Sequence, residues 1–169
     1  MSEWYNESTV TIYASVPKNT KKSITTMEVM IMKNYTHSVQ YYETDRMGIT
    51  HHSNYIRWME EARIDFLRQI GWNYEKLESL GIISPVTEVN CKYKASTTFS
   101  DEVSITVSVE EFKGVRLKLR YAMHNTSGEC VCEGTSEHCF VDKQGKIIRL
   151  HKEYPDFYQT LTSLVEDKQ

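Results

Sequence analysis

Several features that would place this chain in a special class are absent from its sequence. No segment approaches the roughly 18 apolar residues that a membrane-spanning helix requires, and the N-terminus lacks the continuous apolar core of a signal peptide. A general nucleic-acid-binding protein normally carries a basic excess, whereas this chain has a net charge of −3. We therefore predict a cytoplasmic protein with no membrane span and no nucleic-acid partner.

The cysteines show no spacing typical of a metal or redox site. They form no C-x-x-C pair and no zinc-ligand pattern, and they are Cys91, Cys130, Cys132 and Cys139. Because disulfides are rare in the cytosol, we predict reduced thiols, mostly buried in strands.

The composition is that of a globular protein, with 40% hydrophobic and 25% charged residues among 169. This length fits one domain with a core of its own. Residues 1–33 are rich in Ser, Thr, Asn and Lys, which predicts a flexible N-terminal extension. The compact domain is then predicted over residues 34–169.

Hydrophobic periodicity divides this domain into a helical part and a strand-rich part. A strand is predicted over residues 36–43, a long amphipathic helix over 55–70 and a short helix over 73–80. Further strands are predicted at 86–93, 103–109, 115–124 and 129–141, before a terminal helix at 155–165. We expect an α+β fold, in which an antiparallel sheet curls around the apolar stripe of the long helix.

The most informative segment joins the first strand to the long helix. Its sequence is Tyr42-Glu43-Thr44-Asp45-Arg46-Met47-Gly48-Ile49-Thr50-His51-His52-Ser53-Asn54-Tyr55. An acid, a glycine turn, a histidine and a helix start therefore follow one another closely. A helix N-terminus offers unpaired backbone N–H groups, and a nearby carboxylate can act as a base or a nucleophile.

This segment and the strand order after it resemble the hotdog-fold thioesterases of the 4-hydroxybenzoyl-CoA thioesterase family, in particular the YbgC-like branch. The resemblance covers about residues 35–152. It implies an antiparallel sheet wrapped around one central helix, and hydrolysis of an acyl-CoA to a carboxylic acid and free CoA. It also implies a homodimer or homotetramer, no metal, and no cofactor apart from the coenzyme A of the substrate.

By this resemblance Asp45 matches the catalytic aspartate of the family, and His52 matches the histidine seven residues later. Glu43 replaces the more common first aspartate of the motif. Thr50 and His51 replace a more apolar pair, which affects the shape of the acyl pocket. A carboxylate can attack the thioester directly or activate water, and both mechanisms fit the sequence.

Other residues of the segment are candidates for binding the oxyanion and the substrate. Backbone N–H groups after the glycine are the expected oxyanion donors, and the candidates are Gly48, Ile49, Thr50 and His51. Asn54 and Tyr55 are expected to fix the entrance of the helix. Glu60 and Glu61 are possible second acids, although their spacing from Arg57 and Arg63 also predicts ordinary ion pairs.

Basic residues in the sheet are candidates for the phosphates of coenzyme A. They are Lys92 and Lys94 on one strand, and Arg116 and Lys118 on another. A solvated sheet face explains the same residues equally well. Acyl carrier protein could replace coenzyme A as the thiol carrier, and a non-enzymatic module that binds acyl-CoA is the alternative to an enzyme.

Overall fold

A five-stranded antiparallel sheet and one long helix form the centre of the molecule, which confirms the predicted α+β class. The computed structural model describes residues 10–13 and 30–165. In chain order its elements are β1 (Val10–Tyr13), β2 (Met30–Lys33), β3 (Tyr35–Ser38), a 3-10 helix (Tyr41–Glu43), α1 (Ser53–Gln69), α2 (Tyr74–Ser79), β4 (Val86–Tyr93), β5 (Glu102–Phe112), β6 (Arg116–Asn125), β7 (Cys130–Cys139), α3 (Leu150–Glu153) and α4 (Pro155–Ser163).

The strands of the main sheet follow the order β3-β5-β6-β7-β4. Strands β5, β6 and β7 form the expected meander, and each pairs antiparallel with the next. Strand β4 pairs with β7, so β3 and β4 lie at opposite edges. Strands β1 and β2 form a separate antiparallel pair.

Helix α1 buries the predicted apolar stripe, whose members Tyr55, Met59, Ala62, Phe66 and Ile70 are all at most 6% exposed. Its close contact with the sheet depends on Gly134 of β7. A Cβ atom at this position would collide with Cε of Met59 and with the carbonyl oxygen of Asn90. Glycine is therefore required where the helix approaches the sheet.

The prediction that the first strand continues to Glu43 is wrong. The strand ends at Ser38, and the 3-10 helix follows. The Gln40 N–H donates to the carboxylate of Glu43 over 2.7 Å, which folds the chain back instead of extending it. Tyr41 and Tyr42 consequently point into solvent.

A buried polar network lies between the C-terminal half of α1 and the sheet. Arg63 Nη1 lies 3.3 Å from His138 Nδ1, and His138 Nε2 lies 2.7 Å from Ser136 Oγ. Because arginine only donates, Nδ1 must accept and Nε2 carries the proton. Burial, followed by the charge of Arg63, lowers the pKa of His138 to about 4, so this histidine is neutral at neutral pH.

The four cysteines are free thiols in β4 and β7, as the sequence predicts. The expectation that most of them are buried is wrong, because Cys132 is buried and the other three are half-buried. No helix among residues 10–13 and 30–165 is long and apolar enough to cross a membrane.

Most of the proposed N-terminal extension lies outside the described residues, so the boundary at residue 33 stays a prediction. Within the described part, Met32 is buried in the core. The Lys33 N–H donates to Gln69 Oε1 over 2.8 Å, which attaches the end of β2 to α1.

Candidate active site

Asp45 lies half-buried in a tight turn that closes on its own backbone. The Asp45 N–H donates to the Ile49 carbonyl, and the Gly48 N–H donates to the Asp45 carbonyl, both over 2.9 Å. Oδ1 of Asp45 accepts the N–H of Met47 over 2.7 Å. Gly48 has φ of +77°, which suits glycine because a Cβ is strained in this region.

Two other turns repeat this backbone pattern. Asn125 with Gly128, and Asp142 with Gly145, form the same pair of backbone hydrogen bonds, and both glycines also have positive φ. In each case the side-chain oxygen of the first residue accepts the N–H of the third, as in the Asp45 turn.

The Asp45 turn differs from these two at its fifth residue. Oδ1 of Asn125 also accepts the Glu129 N–H, and Oδ1 of Asp142 also accepts the Lys146 N–H, each over 2.9 Å. Ile49 occupies the corresponding position of the Asp45 turn. Its N–H has no acceptor among the described residues. This turn therefore leaves one amide available that the other two turns use.

Hydroxyl groups beneath the turn attach it to the loop after β4. The Thr50 N–H donates to the Thr97 carbonyl over 2.8 Å, and the two threonine hydroxyls lie 2.7 Å apart. The Tyr55 hydroxyl lies 2.9 Å from Thr97 Oγ1, and Thr98 Oγ1 donates to the Gly48 carbonyl. Sequence reasoning missed Thr97, because it belongs to no motif and is far from Asp45 along the chain.

The first turn of α1 is attached to the segment that precedes Asp45. The His51 N–H and the Asn54 Nδ2 both donate to the carbonyl of Glu43 over 2.8 Å. The Asn54 side chain thus holds the helix entrance through the backbone of Glu43. Near the helix start, the backbone N–H groups of Gly48, Thr50 and His51 donate hydrogen bonds to carbonyl groups of the same chain. The His52 amide, like that of Ile49, has no acceptor among the described residues.

His52 is exposed at the start of α1. Its ring lies against that of His51, with centroids 4.1 Å apart, and faces the edge of Tyr93 at 6.5 Å. The Tyr93 hydroxyl donates to the His52 carbonyl over 3.1 Å. Burial, with the neighbouring Cys91, raises the pKa of Tyr93 to about 12, so the phenol keeps its proton at neutral pH.

Glu43 is buried, and its carboxylate accepts from His37, the Gln40 N–H and Trp58. Burial alone would raise the pKa of Glu43. The three hydrogen bonds outweigh this effect and hold the pKa below its ordinary value, so the carboxylate is ionised at neutral pH.

The two glutamates of α1 have different surroundings. Glu60 is exposed and lies 3.6 Å from Arg63 Nη2, which is one of the expected helical ion pairs. Glu61 instead turns toward β3, where its Oε2 lies 3.0 Å from both the Tyr35 hydroxyl and His37 Nδ1.

The basic candidates fall into two groups. Lys94 pairs with Glu133 at 3.2 Å, and Lys118 lies within 3.8 Å of both Glu110 and Glu137. Lys92 and Arg116 are exposed and form no ion pair with the described residues. The part of the chain that the structure describes contains no group of three His, Cys, Asp or Glu residues that could hold a metal.

Comparisons with known proteins show the family to which the chain belongs. The family model of the thioesterase-like superfamily matches residues 39–161. A protein named putative acyl-CoA thioesterase YneP, from Bacillus subtilis, is 35% identical over 121 residues, which cover 71% of this chain and 88% of that protein. A 1,4-dihydroxy-2-naphthoyl-CoA hydrolase of Thermosynechococcus vestitus is 26% identical over 108 residues, which cover 63% of this chain and 74% of the hydrolase.

A solved structure of a DHNA-CoA thioesterase from Staphylococcus aureus has a TM-score of 0.74 and 34% sequence identity, and the match covers 76% of this chain and 87% of that one. The hotdog fold expected from the sequence is thereby confirmed. The family match spans the Asp45 turn, α1 and the main sheet from β4 to β7. The chain therefore belongs to the thioesterase-like superfamily, and it is a thioester hydrolase with the hotdog fold.

Proposed function

We propose that this protein hydrolyses an acyl-CoA to a carboxylic acid and free CoA, with Asp45 as the general base or the nucleophile. The observation that carries the proposal is the amide left available in the Asp45 turn. Oδ1 of Asp45 takes one backbone N–H where Asp142 takes two, and the Ile49 amide has no acceptor among the described residues. A carboxylate and a free backbone N–H thus lie in one turn. Acyl transfer can use the carboxylate as base or nucleophile and the N–H as an oxyanion donor.

The chemistry follows from these groups. As a base, Asp45 removes a proton from water while the water oxygen attacks the thioester carbon, which forms a tetrahedral oxyanion. The amides of Ile49 and His52 donate to this oxyanion. Collapse of the intermediate breaks the carbon–sulfur bond, and the CoA thiolate takes a proton, for which the candidate is the exposed His52, the histidine that matches the family motif. As a nucleophile, Asp45 instead forms a mixed anhydride that water then hydrolyses.

For the acyl group we favour an aromatic substrate. Aromatic and apolar side chains are exposed around the turn, and they are Tyr41, Tyr42, Met47 and Phe99. Such groups suit an aromatic ring better than a polar one. The names of two relatives specify a naphthoyl-CoA or DHNA-CoA substrate for those proteins. A hydrolysis screen over aromatic, short aliphatic and long fatty acyl-CoA, with an acyl carrier protein thioester included, tests the preference, and faster hydrolysis of an aliphatic substrate would contradict it.

For the phosphates of coenzyme A we favour Lys92 and Arg116. Both are exposed and carry a charge that no described carboxylate neutralises. Lys118 is less suited, because its two carboxylate neighbours already compensate its charge. A rise in KM for Lys92→Ala and Arg116→Ala with little change in kcat is the expected sign of phosphate contact.

We also infer assembly into a homodimer or homotetramer. Strand β4 lies at an edge of the sheet and is exposed over most of its length. Its exposed residues include Val86 and Tyr93, and an edge strand with apolar side chains is normally covered by another chain. Light scattering should give a multiple of the 19.8 kDa chain mass, and a monomer at micromolar concentration would contradict the inference.

Asp45→Asn tests the catalytic assignment. The variant should lose about 10²–10⁴-fold in kcat, because an amide is neither a base nor a nucleophile here. Release of free thiol from the best acyl-CoA substrate measures this loss. Asp142→Asn is the matched control, since it changes the same turn type elsewhere and should keep wild-type kcat. Full activity of the Asp45 variant would refute the assignment.

A further inference from the structure

Glu43 accepts hydrogen bonds from three different parts of the chain through its side chain. Oε2 lies 2.9 Å from His37 Nε2 on β3 and 2.7 Å from the Gln40 N–H before the 3-10 helix. Oε1 lies 2.8 Å from Trp58 Nε1 on α1. The side chain is only 5% exposed, so these contacts replace water as the partners of both oxygens.

The backbone carbonyl of the same residue accepts two more hydrogen bonds, from the His51 N–H and from Asn54 Nδ2. Through its carbonyl Glu43 therefore contacts the residue that leads into α1 and the first turn of the helix, and through its carboxylate it contacts Trp58 further along α1. It also precedes Asp45 by two residues. A displacement of Glu43 would move the Asp45 turn and the first turn of α1 relative to each other.

His37 lies between two carboxylates in this cluster. Its two ring nitrogens lie 2.9 Å from Glu43 Oε2 and 3.0 Å from Glu61 Oε2, and Trp58 lies against its face at 4.6 Å. The Tyr35 hydroxyl shares the same oxygen of Glu61. An ionised carboxylate can only accept, so each contact is a hydrogen bond when the ring nitrogen that faces the carboxylate carries a proton.

Stability alone gives little reason for this buried arrangement. A buried, hydrogen-bonded carboxylate contributes little net free energy compared with well-packed apolar side chains, because it loses its hydration. Apolar groups could hold α1 on the sheet equally well. They could not fix the direction in which the backbone of Glu43 presents its carbonyl to His51 and Asn54.

We propose that Glu43 is a positioning residue for the hydrolytic site, and that its ionised carboxylate, held by His37 and Trp58, sets the Asp45 turn against the first turn of α1. The inference rests on the proposed function of Asp45. It adds that the orientation of the oxyanion donors is controlled from a buried acid that does not touch the substrate.

The first test compares Glu43→Gln with Asp65→Asn. The glutamine amide presents N–H groups where the carboxylate accepts them, so the turn should shift. We expect kcat to fall about 10²-fold with KM changed less than about threefold, as for a misplaced catalytic group. Asp65 on α1 is the control, because its carboxylate also accepts side-chain hydrogen bonds, from Arg68 and Gln69, and its variant should stay within about twofold of wild type.

Two further variants test the alternative that Glu43 only stabilises the fold. Glu43→Asp keeps the charge with a shorter reach and should recover kcat to within about tenfold of wild type. Trp58→Phe keeps a buried aromatic ring, although a smaller one, and removes the hydrogen bond to Oε1, so it covers the case in which Glu43→Gln fails to fold. It should lower kcat about tenfold at nearly constant KM. Wild-type kcat in Glu43→Gln, or in Trp58→Phe where the former does not fold, would overturn the proposal.

A readout without hydrolysis separates this inference from the proposed function. Amide NMR shifts of Ile49 and His52 should change in Glu43→Gln and not in Asp65→Asn. If they do not change while Asp45→Asn is inactive, the positioning role fails and the function stands. If Asp45→Asn is active, the function fails, and the amide shifts alone decide whether Glu43 positions the turn.

Discussion

The turn at Asp45 and the turn at Asp142 have the same backbone hydrogen bonds and the same positive-φ glycine, yet only one lies at the candidate site. At Asp142 one carboxylate oxygen accepts two backbone amides, and the turn is satisfied within itself. At Asp45 it accepts one, and the remaining amide belongs to the segment that leads into α1. The difference teaches that the turn type does not create the site. What matters is the hydrogen bond that the turn leaves unformed, and the helix start beside it.

The two turns can be compared only at a pH where the fold is intact. Acid should have the largest effect on the free energy of unfolding. The pKa of His138 is about 4 when folded, below its ordinary value of 6.5. Between pH 6.5 and about 4 the unfolded chain therefore binds more protons than the folded chain. The free energy of unfolding should have its full value above pH 6.5 and should fall by roughly 3 kcal/mol as the pH drops toward 4. The low pKa of Glu43 extends this loss to lower pH.

Chemical denaturation at a series of pH values measures this effect. His138→Gln should flatten the dependence between pH 6.5 and 4, because it removes the titrating ring. An unchanged slope in that variant would show that another group causes the loss.

Replacing the glycine of each turn by alanine should separate stability from activity. Gly48→Ala and Gly145→Ala each place a Cβ in the left-handed region and should each cost about 1–2 kcal/mol. Neither Cβ would meet another atom within 4 Å, so backbone strain is the common cause. Only Gly48→Ala should also lower kcat, because strain there shifts Asp45 and Ile49. Equal activity of the two variants would remove the functional distinction between the turns.

Replacing each aspartate by alanine should destabilise the fold more at Asp142 than at Asp45, although only the change at Asp45 should affect activity. Asp142→Ala loses two hydrogen bonds to its carboxylate and should cost about 1–2 kcal/mol, whereas Asp45→Ala loses one and should cost about 1 kcal/mol or less. Thermal unfolding at pH 7 measures both changes. A larger loss for Asp45→Ala would indicate that this aspartate also has a structural role.

The sequence predicts the Asp45 turn and the long helix because both depend on local patterns. An Asn or Asp with glycine three residues later marks each turn, and the apolar spacing marks α1. The number of backbone N–H groups that donate to each side chain depends on the path of the chain after the turn, which no local pattern encodes. The same limit applies to Glu43, whose partners His37 and Trp58 lie 6 and 15 residues away along the chain.

Arg63 shows the limit most clearly. Its neighbour Glu60 is readable from helical spacing, and that ion pair is present. Its buried contact with His138 is 75 residues distant in sequence and becomes visible only when β7 lies beneath α1. Sequence reasoning therefore places this arginine on the surface side of the helix, whereas its side chain is 6% exposed.

Glycine at position 134, which has no side chain, limits the substitutions that the molecule tolerates. Since any Cβ there would press on Met59 and on the β4 backbone, a larger residue would have to lift α1 away from the sheet. The helix start and the turn before it would move with it. Substitutions around the turn should therefore leave position 134 untouched, because the glycine there lets α1 lie close to the sheet and so fixes the position of the helix start.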